Sequence, residues 1–251
     1  MPFYCRNFLT NVIARVDYQP ILVLTREMPI DFQERIRQEF PRFQRSFPFK
    51  LTIPPEGEAQ SVQKPVFWQF KDKMESNTVT VSADFISCET KNYTKFNEFV
   101  QKLSSTYNTF CELYKPALIK RIGLRYVNQI EIKDGNPFDW DGFISSALTS
   151  QVRAFPTMQQ DITRQMSQMQ FSIDDMNLLF QFGFYNSEHP NRITKKEFIL
   201  DYDCFTDQET EPDKVLLRFG MLHIHISNLF EESIQDGFRN LMGVANEIST
   251  T

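Results

Sequence analysis

The feature that most constrains this chain is a change of hydrophobic period at Pro116. Before it, Tyr93, Phe96, Val100, Leu103, Tyr107, Phe110 and Tyr114 recur at intervals of 3 and 4 residues, the repeat of one face of an α-helix. After it, Ile122, Leu124, Tyr126, Ile130 and Ile132 share one side of a two-residue alternation. Arg121, Gly123, Arg125 and Gln129 share the other side, the pattern of a β-strand. A bulky aromatic helix followed at once by a long strand can bury both apolar faces by packing helix on sheet. Asn92 is expected to cap the helix and Pro116 to close it.

The rest of the chain fits an α+β fold. Val12, Ala14, Val16 and Tyr18 alternate as a strand. Pro29 opens a helix carrying Phe32, Ile36 and Phe40. Residues 41–64, with Pro48, Pro54 and Pro55, read as a long connection. Val66, Trp68 and Phe70 alternate as a second strand, and Val79, Val81, Ala83 and Phe85 as a third. The first half therefore has the ferredoxin-like order strand, helix, strand, strand, helix, strand. Gly135-Asn136-Pro137 marks a break between halves 1–135 and 136–251, which are either separate or parts of one continuous domain. In the second half, Asp139 or Asp141 caps a short helix with Phe143, Ile144, Ala147 and Leu148. Strands around Phe171, Phe180 and Tyr202 then form an antiparallel meander. A helix opened by Pro212 carries Val215, Phe219, Leu222 and Ile226. A last helix, capped by Ser233 and Asp236, ends at Gly243.

Composition narrows the function classes. A formal net charge of −5 offers no whole-surface attraction for nucleic acid. Cys5, Cys88, Cys111 and Cys204 are far apart and lack zinc-ligand spacing, so they read as reduced thiols. The first residues show no basic region followed by an apolar run, and no apolar stretch reaches membrane-spanning length. A cytoplasmic protein without membrane attachment is expected.

Chemistry-bearing motifs are sparse. Gly-rich phosphate loops, nucleophile elbows and paired metal-binding histidines at helical spacing are missing. No catalytic residue, metal ligand or cofactor is assigned. His223 and His225 lie on a helical pattern, where a separation of two residues points them apart. Asp201 and Asp203 share one face of a strand, an arrangement that can hold Mg²⁺ for phosphoryl transfer or serve as an acidic face. Arg121, Gly123, Arg125 and Asn128 form the densest constellation. Two arginines flanking a glycine leave room for an anion or partner, and the same arginines can pair with neighbouring acids. Asn128 interrupts the apolar face and needs hydrogen bonds if buried.

The segment Arg121-Ile122-Gly123-Leu124-Arg125-Tyr126-Val127-Asn128 resembles the central motif of a sporadically distributed bacterial family of about this length. The resemblance extends to Asn7-Phe8-Leu9 through Tyr18, Glu39-Phe40-Pro41, Leu200-Asp201-Tyr202-Asp203 and His223 through Met242. Many members carry Pro-Ile/Leu-x-Glu where this chain reads Phe8-Leu9-Thr10-Asn11. The family is one of conserved hypothetical proteins with no established activity to transfer. Its patchy distribution implies mobile, defence-like gene clusters.

Three readings follow. The first is a non-catalytic binding or accessory protein whose partner is another protein, with homo-oligomerisation open; its abundant Phe and Tyr suit interfaces. The second is a divalent-metal-dependent phosphoryl-transfer or nuclease-like enzyme using Asp201 and Asp203. The third is an anion or nucleotide sensor using Arg121 and Arg125.

Overall fold

A computed structural model describes residues 4–47 and 65–243. It is an α+β fold in which nine strands, β1 (Leu9–Tyr18), β2 (Arg42–Ser46), β3 (Phe67–Lys71), β4 (Asn77–Val81), β5 (Phe85–Thr90), β6 (Ile119–Ile132), β7 (Gln165–Ile173), β8 (Met176–Phe184) and β9 (Lys196–Thr206), alternate with helices. These are α1 (Ile30–Ile36), α2 (Phe96–Tyr114), the short α3 (Ser146–Thr149), α4 (Val215–Ser233) and α5 (Asp236–Met242). The chain divides into two compact units. One comprises Ile13–Ile122 and Asp207–Leu217; the other comprises Met1–Val12, Gly123–Thr206 and Arg218–Thr251. Strands β1 and β6 thus contribute residues to both.

In the first unit the strands run in the order β2-β3-β4-β5-β1-β6. The expected strand and helix order is present, with two strands added. β2 falls in the segment read as a connection, because Arg42-Phe43-Gln44-Arg45-Ser46 is mostly exposed and shows no apolar alternation. Residues 77–90 form two strands, β4 and β5, paired antiparallel with Val81 opposite Ile86. Residues 48–64, which include Pro48, Pro54 and Pro55, lie outside the described residues.

An aromatic cluster joins the helices to this sheet. Phe110 of α2 stacks on Tyr18 at 5.0 Å and meets Phe32 of α1 edge-on at 6.2 Å. Phe32 meets Phe70 of β3 at 5.6 Å. Trp68 is buried with its indole N–H bonded to the Leu24 carbonyl, so its polar atom is satisfied. Helix α2 begins at Phe96 after Lys95, which makes no side-chain cap bond, and the Asn92 backbone N–H donates to Thr90 Oγ1. With this start, Phe99, Leu103, Tyr107 and Phe110 are buried, while Phe96 and Val100 sit at the margin of the face.

In the second unit the order is β1-β6-β9-β8-β7. β7, β8 and β9 form the expected antiparallel meander. Gly183 has φ +153°, and a Cβ there would lie 2.1 Å from the Gln165 carbonyl oxygen. Only glycine lets β7 and β8 approach so closely at this end. Phe180 stacks on Tyr202 at 4.7 Å, and Phe219, Leu222 and Ile226 of α4 are buried. Phe143 and Ile144 precede α3 rather than lying within it, and Ile144 bridges to Ile234. Helix α5 starts after Gln235 without a side-chain cap. Ser233 Oγ bonds back to the Leu229 carbonyl. Gly243 ends α5 with φ +69°, a conformation that favours glycine at this position.

Phe110 touches Tyr18, Phe32 and Tyr114 and is fully buried. Phe110→Ala should therefore cost ~3–5 kcal/mol through lost burial and a residual cavity. Urea unfolding of the variant checks this; a midpoint equal to that of the parent protein contradicts the packing described.

Candidate functional site

Strand β6 carries the two arginines singled out by the sequence, and alternation sends them to one face while Ile122, Leu124, Tyr126 and Asn128 are buried on the other. Each arginine meets acids within its own compact unit. Arg121 lies 3.8 Å from Asp17 and 3.6 Å from Asp207. Asp17 also accepts a hydrogen bond from Arg15 Nε at 2.9 Å, and the Arg15 guanidinium rests 3.9 Å from the centre of the Phe85 ring. These contacts place Arg121 in a mixed-charge cluster on the half-exposed side of the sheet.

Arg125 makes the tighter contact. Its Nε donates to Asp201 Oδ1 at 2.8 Å and its Nη2 to Oδ2 at 2.6 Å. This is a bidentate fork, the strongest geometry available to an arginine and a carboxylate. The Asp201 side chain is only 7% exposed, whereas Arg125 is 43% exposed. The hydrogen bonds to Asp201, reinforced by the charges of Asp201 and Asp203, hold the Arg125 proton more firmly than usual. Asp201 and Asp203 thus belong to the same neighbourhood as Arg125. The sequence offers the arginines and the acids as separate candidate sites and leaves pairing with a neighbouring acid open for the arginines; β9 brings Asp201 to Arg125. Gly123 is buried between the arginines. Asn128 is buried on the opposite face and donates to the Leu200 carbonyl at 3.4 Å.

The apolar side of β6 holds a second polar group. Tyr126 Oη and His223 Nδ1 share a hydrogen bond at 3.0 Å, and Ser227 Oγ lies 3.4 Å from the same nitrogen. The helical spacing of His223 and Ser227 places both on one side of α4. Burial pushes the His223 pKa from 6.5 down to about 4, because desolvation penalises the imidazolium. A neutral ring is thus held against a phenol. Sequence reading placed His223 on a helix and Tyr126 on the apolar face. The pairing of the two depends on where α4 crosses the sheet, which neither pattern contains.

Among the described residues, no group of three or more His, Cys, Asp or Glu is arranged to hold a metal ion. No helix among them is long and apolar enough to cross a membrane. An open cleft of ≈ 950 Å³ lies in the first unit, lined in part by Gln44, Arg45, Ser82 and Asp84. No family model matches this chain, and no curated protein matches it in sequence.

Two expectations follow. Arg125→Ala leaves a buried carboxylate without its fork, whereas Asp201→Asn leaves a guanidinium that already reaches water. The first change should cost ~2 kcal/mol, between the values for exposed and buried pairs, and the second less than about 1 kcal/mol. Urea unfolding of both variants tests this order, and equal losses would show that desolvation of Asp201 does not set the cost.

His223 makes stability fall with acid. Above pH 6.5 the ring is neutral in both folded and unfolded chains, and its contribution is fully present. Between pH 6.5 and about 4 the unfolded chain takes up a proton that the folded ring resists, so stability declines by up to ~1.4 kcal/mol per pH unit. His223→Gln lacks this component, so the stability gap between parent and variant should narrow across that window. Parallel curves from chemical unfolding at successive pH values would refute it.

Proposed function

We propose that this chain is a non-catalytic binding or accessory protein whose partner is another protein. We further propose that it belongs to the bacterial family its Arg121–Asn128 segment resembles. In that setting it would serve in the cytoplasm as a component of a mobile, defence-like gene system. The observation that carries the reading is the bidentate Arg125–Asp201 pair. A phosphoryl-transfer reading needs Asp201 turned toward a metal, and an anion-sensor reading needs Arg125 turned toward a ligand. Each is engaged with the other, and parting them leaves a buried carboxylate without the fork that offsets its desolvation. Exposed apolar side chains such as Leu22, Met28, Phe155 and Met158 add surface suited to a protein contact.

The test is affinity purification of the tagged full chain from its host, beside calorimetric titration with Mg²⁺ and Mn²⁺. A protein partner should co-elute in stoichiometric amount, and neither cation should bind tightly. Micromolar cation binding that Asp201→Asn abolishes would overturn the reading in favour of a metal-dependent enzyme.

A further inference from the structure

We propose that the outer edge of β7 pairs with the same edge of a second copy of this chain, antiparallel and centred on Met169. This goes beyond the accessory role, since such self-pairing requires no other protein.

β7 is the last strand in its order and pairs on one side with β8. In an antiparallel ladder every second residue turns its N–H and C=O away from its neighbour. Along β7 those outward groups have no other strand beside them among the described residues. Met166, Gln168, Met169, Gln170 and Ser172 are all exposed. An open edge of this kind is a template for another strand, and proteins usually blunt it with charge, proline or a bulge.

The two terminal strands differ in this respect. β2, also last in its order, carries Arg42 and Arg45 within five residues. β7 runs for nine residues, Gln-Met-Ser-Gln-Met-Gln-Phe-Ser-Ile, with no charge, proline or glycine. Self-pairing of β7 therefore opposes no like charges anywhere along the strand, and like charges directly opposite are what destabilise such a pair.

Charge at the two ends selects the occupant and the register. Arg164 immediately precedes β7 and Asp174 immediately follows it, and both are exposed. With a two-fold axis at Met169, residue 164 of one copy lies opposite residue 174 of the other. Arg164 then faces Asp174 of the second copy at one end, and Asp174 faces Arg164 at the other. Between them Met169 faces Met169, and Gln168 faces Gln170. Moving the axis by one residue in either direction loses both charge pairs. Arg164 already lies over Tyr185 and donates one Nη2 hydrogen bond to the Asn186 carbonyl at 3.3 Å, which leaves other guanidinium N–H groups for a carboxylate. Cross-strand glutamine pairing has a precedent in this sheet, where Gln181 Nε2 donates to Gln168 Oε1 at 3.0 Å. An isologous two-fold contact is also the commonest way for a chain to associate with itself.

The experiment is sedimentation velocity of the full chain over a concentration series, with light scattering to fix the mass. A concentration-dependent dimer is expected. Met169→Lys sets two ammonium groups face to face and should raise the half-dimer concentration at least tenfold. If that variant does not fold, Gln168→Glu together with Gln170→Glu carries the same test at exposed positions. The register is read by oxidative crosslinking in a Cys5→Ser background. Met169→Cys should link to itself in high yield, while Ser172→Cys, which faces Met166 of the second copy, should not. A chain that is monomeric at every concentration overturns the proposal, as does a dimer unaffected by these charges. A monomer that still captures a different protein through β7 also overturns it, yet leaves the accessory role standing. Loss of that capture with the dimer intact does the reverse.

Discussion

A strand that carries two permanent cations on one face and a nearly unbroken apolar row on the other sets the terms for the rest of this protein. A guanidinium does not shed its charge when desolvated, so β6 must lie where acids meet Arg121 and Arg125. Its other face must meanwhile be covered by apolar side chains. Both demands are met. Asp17 and Asp207 approach Arg121, Asp201 holds Arg125 in a fork, and Ile122, Leu124 and Ile130 are completely buried. The arrangement is specific because a shift of β6 by one residue would send both arginines into the core and Ile122, Leu124 and Ile130 out of it.

The buried side of that strand is not wholly apolar. Asn128 reaches the Leu200 carbonyl, and Tyr126 meets His223. Such groups cost free energy unless paired, so they fix the position of β9 and α4 against β6 more closely than hydrophobic contact alone. The first unit is organised differently, around rings. Tyr18, Phe32, Phe70 and Phe110 form a connected aromatic set, in which offset and edge-on contacts add direction to burial.

Charge is distributed over the fold with consequences for association. β2 carries two arginines at an edge, whereas β7 has none and leaves its charges just beyond its ends. The same physical rule, that like charges opposite one another destabilise a strand pair, protects one edge and leaves the other open.

The local periods are written in residue order alone. The helix of residues 96–114, the strand of residues 119–132 and the meander of the second half were all legible, because a buried face imposes a repeat of 3.6 or 2 on the residues that fill it. β2 was not legible, because an exposed strand of Arg, Phe, Gln and Ser has no buried face and therefore no period. The exact start of α2 was hidden as well: Asn92 has the chemistry of a cap, but the helix begins at Phe96 after Lys95, which makes no side-chain cap bond. At the site, alternation correctly put Arg121 and Arg125 on one face of β6 and Asp201 and Asp203 on one face of β9. That these faces meet is a result of how the strands pack. Arg125 and Asp201 are 76 residues apart, and no local pattern encodes which strand lies beside which. That choice is made by the joint burial of β6, β9 and α4, which converts two separate candidate sites into one ion pair.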